Sequence, residues 1–317
     1  METFDFHQVR LLPKKGIVDS RDECDTSIVL GKHKFNLPIV PANMLSTINE
    51  DLCIKLAKSG NFYIYHRFHH NNYDFVKMMN EHGLLTSISV GVNEDSYSQL
   101  KKIKEDGLKI DMITVDVAHG FSIKCEKMCK FIVDTFSDVY LIAGNVCTPD
   151  ATEALGNWGA SCIKVGLGNG SACQTYKVTS FGSRNWQASC LLECSQATDK
   201  QIMCDGAIKE IGSIAAAITL GSDICMLGNL VAGHLDSPGS IITDENGKKF
   251  KEFFGSSTVH CKKHDKYEEG CKLLMDYKDE TLLEYYDTIG QGLRSAISYA
   301  GGKYLGALNT VKWVIVK

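Results

Sequence analysis

The 317-residue chain has no C-x-x-C pair despite thirteen cysteines, no apolar run of membrane-spanning length and no large excess of either charge. Without C-x-x-C there is little support for a zinc ribbon or a thioredoxin-like redox centre. A spanning helix needs about 20 consecutive apolar residues, and no segment approaches that. A formal net charge of −4 leaves no electrostatic footprint for nucleic acid. Basic pairs such as Lys14-Lys15 and Lys262-Lys263 read as solvated surface. The opening METFDFHQVR lacks the apolar core of a secretory leader. The expectation is therefore a cytoplasmic protein whose cysteines stay as thiols. Cys125/Cys129 and Cys190/Cys194 stand at i,i+4 spacing on expected helices. They read as small buried hydrophobes rather than metal ligands.

What is present is an alternation. Hydrophobic residues make up 44% of the chain, enough for a sizeable core. Short apolar runs at 37–42, 62–65, 84–90, 112–117, 139–143, 162–165, 202–204 and 224–227 suit strands buried on both faces of a parallel sheet. Helix-like stretches follow at 50–59, 73–82, 96–106, 122–136, 149–158, 185–197 and 211–220, with a last one at 280–300. Eight strand–helix units predict a single (β/α)8 barrel domain over residues 1–317. A doubly wound sheet would string the polar strand ends along an edge. A barrel gathers them on one rim: Asn43, His66-Arg67, Asp116 to His119, Asn145, the loop after 165, Asp205-Gly206 and Gly228-Asn229. Two segments lie outside the repeat. Residues 27–35, with a Gly31-Lys32 turn, read as a hairpin plugging the barrel bottom. Residues 237–279 are long, charged and turn-rich, and read as a mobile flap over the rim.

The loop VGLGNGSACQT, residues 165–175, is the most unusual stretch. A dinucleotide fingerprint is rejected, because no acidic strand end follows about 20 residues later. Gly166, Gly168 and Gly170 let amides point inward toward an anion, or carbonyls toward a monovalent cation. Cys173 at its tip reads as a thiolate nucleophile or as a cysteine buried in a tight turn. The loops holding Asp205-Gly206-Ala207 and Gly228-Asn229 follow strands seven and eight, where barrels often bind phosphate. Plain tight turns remain the alternative there. Asp205 is a pure acceptor suited to sugar hydroxyls. Asp116 and His119 add polar groups, with helix capping as the alternative for Asp116.

GLGNGSACQT, DGAIKEIGSIAAAITLG, MLGNLVAGHLDSPG, FFGSS, EEG, SISYAGG, VDVAHG and SRDECDTSIVLGKHKFNLPIVPANM together resemble the GMP reductase branch, bacterial type, of the IMP dehydrogenase/GMP reductase family. The resemblance spans essentially the whole chain. His66 runs straight into the next helix, leaving no room for the regulatory CBS module usual in the dehydrogenases. VDVAHG matches the reductase pattern rather than D-S-S-Q-G. The resemblance implies NADPH-dependent reductive deamination of GMP to IMP and ammonia through a Cys173 thioimidate, in purine salvage. Thr175 and Glu269 would handle the amine's protons. Ser171, Asp205, Gly206, Ala207, Gly228, Asn229, Gly255 and Gly270 would bind the substrate. Asp116, Ala118, Leu167 and Gly168, with Ser20 and Arg21 of a neighbouring subunit, would bind the cofactor. A potassium ion would use the carbonyls of Gly168, Gly170 and Cys173. A homotetramer without nucleic-acid or membrane partners is implied.

The chain departs from the family where G-P-G becomes Gly168-Asn169-Gly170 and D-G-G becomes Asp205-Gly206-Ala207. Alanine at 207 is tolerated at negative φ and strained at positive φ. An IMP dehydrogenase lacking its regulatory module and a non-catalytic purine-nucleotide-binding barrel are the alternatives.

Overall fold

The computed structural model describes residues 3–68, 71–255 and 270–317. In chain order the strands are β1 (Val9–Leu11), β2 (Ile28–Leu30), β3 (His33–Phe35), β4 (Ile39–Pro41), β5 (Ser87–Val90), β6 (Met112–Asp116), β7 (Tyr140–Val146), β8 (Cys162–Val165), β9 (Gln201–Asp205), β10 (Ile224–Leu227), β11 (Ile241–Thr243), β12 (Lys249–Phe254), β13 (Lys272–Asp276) and β14 (Trp313–Ile315). Seven of them form one parallel sheet in the order β4-β10-β9-β8-β7-β6-β5. Segment 62–65 adjoins β5, where Tyr65 N donates to Ser87 O (3.1 Å) and Ser89 N donates to Tyr65 O (2.9 Å). It makes a single bridge, Tyr65 to Ile88, rather than the full strand expected. The sheet is curled in the manner of a (β/α)8 barrel.

Period-two alternation sorts each strand. Ile163 and Val165 of β8 face outward into the helix layer, as do Ile113 and Val115 of β6 and Ile202 and Cys204 of β9. Their neighbours Cys162, Met112 and Met203 point inward and pack with Val40, Phe62, Ile64, Ile142 and Met226. Two residues further up, the inward positions are Lys164 on β8 and Asp205 on β9, and on β6 Thr114 followed by Asp116. The apolar interior thus ends in a charged layer at the C-terminal rim. The β2–β3 hairpin closes the other end, with Leu30 and Phe35 in the inner cluster, as expected for a plug.

The helices are α1 (Glu50–Lys58), α2 (Asn72–Glu81), α3 (Glu94–Glu105), α4 (Ile123–Thr135), α5 (Pro149–Asn157), α6 (Thr175–Thr179), α7 (Gln187–Ser195), α8 (Ile211–Thr219) and α9 (Leu282–Tyr299). Side-chain oxygens of Asn93, Ser122 and Thr148 accept from the first-turn amides of α3, α4 and α5, which sets where each begins. Cys125, Cys129, Cys190 and Cys194 are all buried in the outer cluster, as expected. The helix expected over 185–197 starts later, at Gln187, because Asn185 adopts a left-handed φ of 67°. Three features had no sequence signal: short helix α6, the antiparallel β1–β14 pair and the β11–β12–β13 sheet within 237–279. No helix among the described residues is long and apolar enough to cross a membrane.

Candidate active site

The rim encloses a cavity of about 330 Å³. Its floor is an ion cluster. Lys164 Nζ donates to Asp116 Oδ1 and to Asp205 Oδ2, both at 2.8 Å. Arg67 Nε lies 3.7 Å from Asp116 Oδ2. Asn145 Nδ2 donates to Asp205 Oδ2 (2.7 Å) and to the Gly166 carbonyl (2.5 Å). Lys164 reaches this position because β7 has no side chain in its way. A Cβ on Gly144 would fall 2.6 Å from Lys164 Cβ. Burial works against the charge on Asp116, yet Lys164 and Arg67 outweigh it and hold its carboxyl below the usual range. Burial likewise opposes the Lys164 ammonium, and the two carboxylates outweigh it and raise its pKa. Asp116 meets the cavity with both oxygens engaged. Asp205 has both bonds on Oδ2, and its side chain stays 22% exposed, presenting an acceptor to the cavity.

Above this floor stands the cysteine loop. Cys173 N donates to Gly170 O (3.0 Å), closing a turn that raises the thiol into the cavity. Cys173 Sγ lies 3.2 Å from Thr175 Oγ1, the first residue of α6. Cys173 also bridges Gly270, where the chain returns from the segment after β12, and Cys271 N donates to Ala172 O (2.8 Å). Buried Phe253 of β12 packs with Ala172 and Ala232. Phe253 and Gly270-Cys271, within 237–279, are thereby anchored to the loop carrying the thiol.

Ser171, Gly206, Ala207, Gly228, Asn229, Gly255 and Gly270 line the same cavity. Asp116, Ala118, Leu167 and Gly168 line it as well. Glu269 lies outside the described residues. Ser20 and Arg21 do not reach the cavity of their own chain. They are exposed, and Arg21 Nη1 donates to Ser295 Oγ (3.2 Å). Among the described residues no group of three or more His, Cys, Asp or Glu could hold a metal ion.

Gly206 is needed where it stands. Its φ is 90°, and a Cβ there would lie 2.5 Å from Asn169 Oδ1. The departure at 207 is the strained case, with Ala207 at φ 61°. A left-handed alanine costs about 1–2 kcal/mol, partly offset by the extra freedom glycine has when unfolded, about 0.4–1 kcal/mol. Ala207→Gly is therefore expected to stabilise the fold by about 0.5–1 kcal/mol. Chemical denaturation checks this, and a loss of stability would show that the methyl makes packing contacts worth more than the strain.

Sequence reasoning missed Lys164 and Arg184. Lys164 had a signal: a lone lysine inside CIKV, a strand otherwise apolar on both faces. Arg184 had none, since it falls in a connection between expected elements.

Similarity to known proteins runs along the whole chain. The profile of the IMP dehydrogenase / GMP reductase domain matches residues 3–316. The GMP reductase of Ligilactobacillus salivarius (strain UCC118) is 45% identical over 318 residues, spanning 100% of this chain and 97% of its own length. That of Bacillus subtilis (strain 168) is 44% identical, spanning 99% of this chain and 96% of its own. That of Mesoplasma florum is 42% identical, spanning 100% and 99%.

Proposed function

The chain belongs to the IMP dehydrogenase / GMP reductase family, and from that premise we propose that it is a GMP reductase. The reaction is GMP + NADPH + H⁺ → IMP + NADP⁺ + ammonia. One observation carries the reading: the Cys173 thiol shares a cavity with the small-residue loops at 206–207 and 228–229, and Thr175 Oγ1 is 3.2 Å from its sulfur. The names of the relatives, all GMP reductases, support the same assignment.

In this reading the phosphate of GMP lies against Ser171, Gly206-Ala207, Gly228-Asn229 and Gly255, where backbone amides can approach closely. Asp205 accepts from the ribose hydroxyls, held in orientation by Lys164 and Asn145. Cys173, as the thiolate, attacks carbon 2 of the purine and forms a C–S bond. The C–N bond to the exocyclic amine breaks, and the amine must be protonated to leave as ammonia. Thr175 would pass that proton to the amine, with Glu269 as its source. Residues 237–279 act as the flap that keeps water from the thioimidate, since hydrolysis would yield XMP.

Ala118 and Gly168 line the same cavity as Cys173 and carry no side chain beyond a methyl, so the site suits a flat ring such as a nicotinamide. NADPH, when bound, supplies the hydride for carbon 2. Asp116, Ala118, Leu167 and Gly168 would hold it, with Ser20 and Arg21 of a neighbouring subunit in a homotetramer. Arg21 would pair with the 2′-phosphate. Once carbon 2 carries its hydrogen, the C–S bond breaks and Cys173 leaves with the electron pair, releasing IMP.

The test compares two substrate pairs by absorbance at the reduced-nicotinamide band. GMP with NADPH should lose absorbance, and IMP with NAD⁺ should gain none. The reverse pattern would move the assignment to an IMP dehydrogenase. GMP binding without turnover would leave a purine-binding barrel.

A further inference from the structure

Carbonyl oxygens aimed at one point repel one another unless a cation sits between them. The cysteine loop makes such an arrangement, and the chain fills it with its own side chain. Arg184 Nη1 lies 3.3 Å from Cys173 O and 3.5 Å from Gly170 O. The guanidinium carbon stands 4.6 Å from the centre of the Tyr176 ring, a cation–π contact that supports it from α6. Its backbone is anchored to the same loop. Fully buried Ser183 donates N–H to Leu167 O (2.8 Å), and its hydroxyl accepts from Leu167 N (3.0 Å). Left-handed Asn185 then turns the chain toward α7, leaving Arg184 over the carbonyls.

These are two of the three carbonyls that the family resemblance assigns to potassium. The residues present do not fit that ion. A monovalent cation on Gly170 O and Cys173 O would occupy the place of Nη1, beside a permanent positive charge.

We propose that Arg184 replaces the monovalent cation at the cysteine loop, so that the loop carrying Cys173 is ordered without potassium. Arg184 is a positioning residue: it touches the carbonyl of Cys173, not its sulfur. The proposal rests on reading Cys173 as the working thiol, and its test is chosen to stand apart from turnover.

Thallium(I), a strongly scattering stand-in for potassium, is soaked into crystals of the wild type and of Arg184→Gly. No anomalous peak is expected at Gly170 and Cys173 in the wild type, and one is expected in the variant. In solution, alkylation of Cys173 by iodoacetamide is followed by peptide mass spectrometry in potassium chloride and in N-methylglucamine chloride. The wild-type rate should be the same in both. In Arg184→Gly the rate should change about tenfold on removing potassium and recover on its return, the scale expected when a reactive group is displaced by a fraction of an ångström. Arg184→Lys should keep the potassium independence of the wild type. A thallium peak at these carbonyls in the wild type, with Arg184 displaced, would overturn the proposal. So would potassium dependence in the wild type, or a lack of it in a folded Arg184→Gly. If the chain failed to reduce GMP, the thallium and alkylation results would still decide this point.

Discussion

Lys164→Met is expected to cost about 3–5 kcal/mol of folding stability, the usual penalty for removing one partner of a buried ion pair. Lys164 is buried and donates to two carboxylates, so its loss leaves Asp116 and Asp205 facing each other across the barrel mouth. Arg67, 3.7 Å from Asp116 and partly exposed, compensates only in part. The loss should depend on pH with a defined sign. In the wild type, Asp116 has a lowered pKa, so its contribution is present above the unfolded value near 4 and fades below it. In the variant, burial and like charge push a carboxyl up instead, and stability falls as pH rises through that raised value. The deficit should therefore be larger at pH 7 than at pH 5. Adding Asp116→Asn to the variant should recover about 1–3 kcal/mol, since the two positions are in direct contact. Turnover should fall about 100-fold, because Asp205 loses one of the two bonds that aim it, the other coming from Asn145. Urea titrations at the two pH values provide the check. A deficit under about 1 kcal/mol, as for an exposed pair, would show that the cluster does not hold the site together.

The second large effect is on Cys173. Cys173→Ala should lower GMP turnover by about 10⁴-fold or more, as expected when the nucleophile of a covalent mechanism is removed. Binding should survive, because Asp205, Gly206-Ala207 and Gly228-Asn229 lie on separate chain segments, and Ser171, on the cysteine loop itself, keeps its backbone when only the thiol is removed. GMP affinity, measured by calorimetry, should stay within a few-fold of wild type. If turnover persisted, the sulfur would not be the attacking group. If affinity collapsed together with turnover, the residue would be shaping the loop rather than reacting.

The barrel was legible because each strand is buried on both faces and reads as a short apolar run, and because every strand end carries a polar or glycine-rich signature. Cys173, Thr175 and the loops at 205–207 and 228–229 stood out for the same reason: small and reactive residues replace apolar ones where each strand stops. Lys164 was harder to see. Its partners, Asp116 and Asp205, lie 48 and 41 residues away in sequence, and only closing the sheet brings the three together. β1 and β14 are three residues each and join opposite ends of the chain, so neither carries a local pattern. Within 237–279, β11 and β13 are largely exposed, and the segment around them is rich in charged and turn residues, which reads as loop. Asn185 hid the true start of α7, because asparagine fits both a helix and the left-handed turn it adopts.

The most direct test of the central claim follows the nitrogen that must leave. GMP labelled with nitrogen-15 at its exocyclic amine is incubated with the protein and NADPH. The label is tracked by NMR while cofactor consumption is read by absorbance. The account predicts that labelled ammonium appears one for one with oxidised NADPH and that the purine product is IMP. Label remaining on the purine while NADPH is consumed would contradict it.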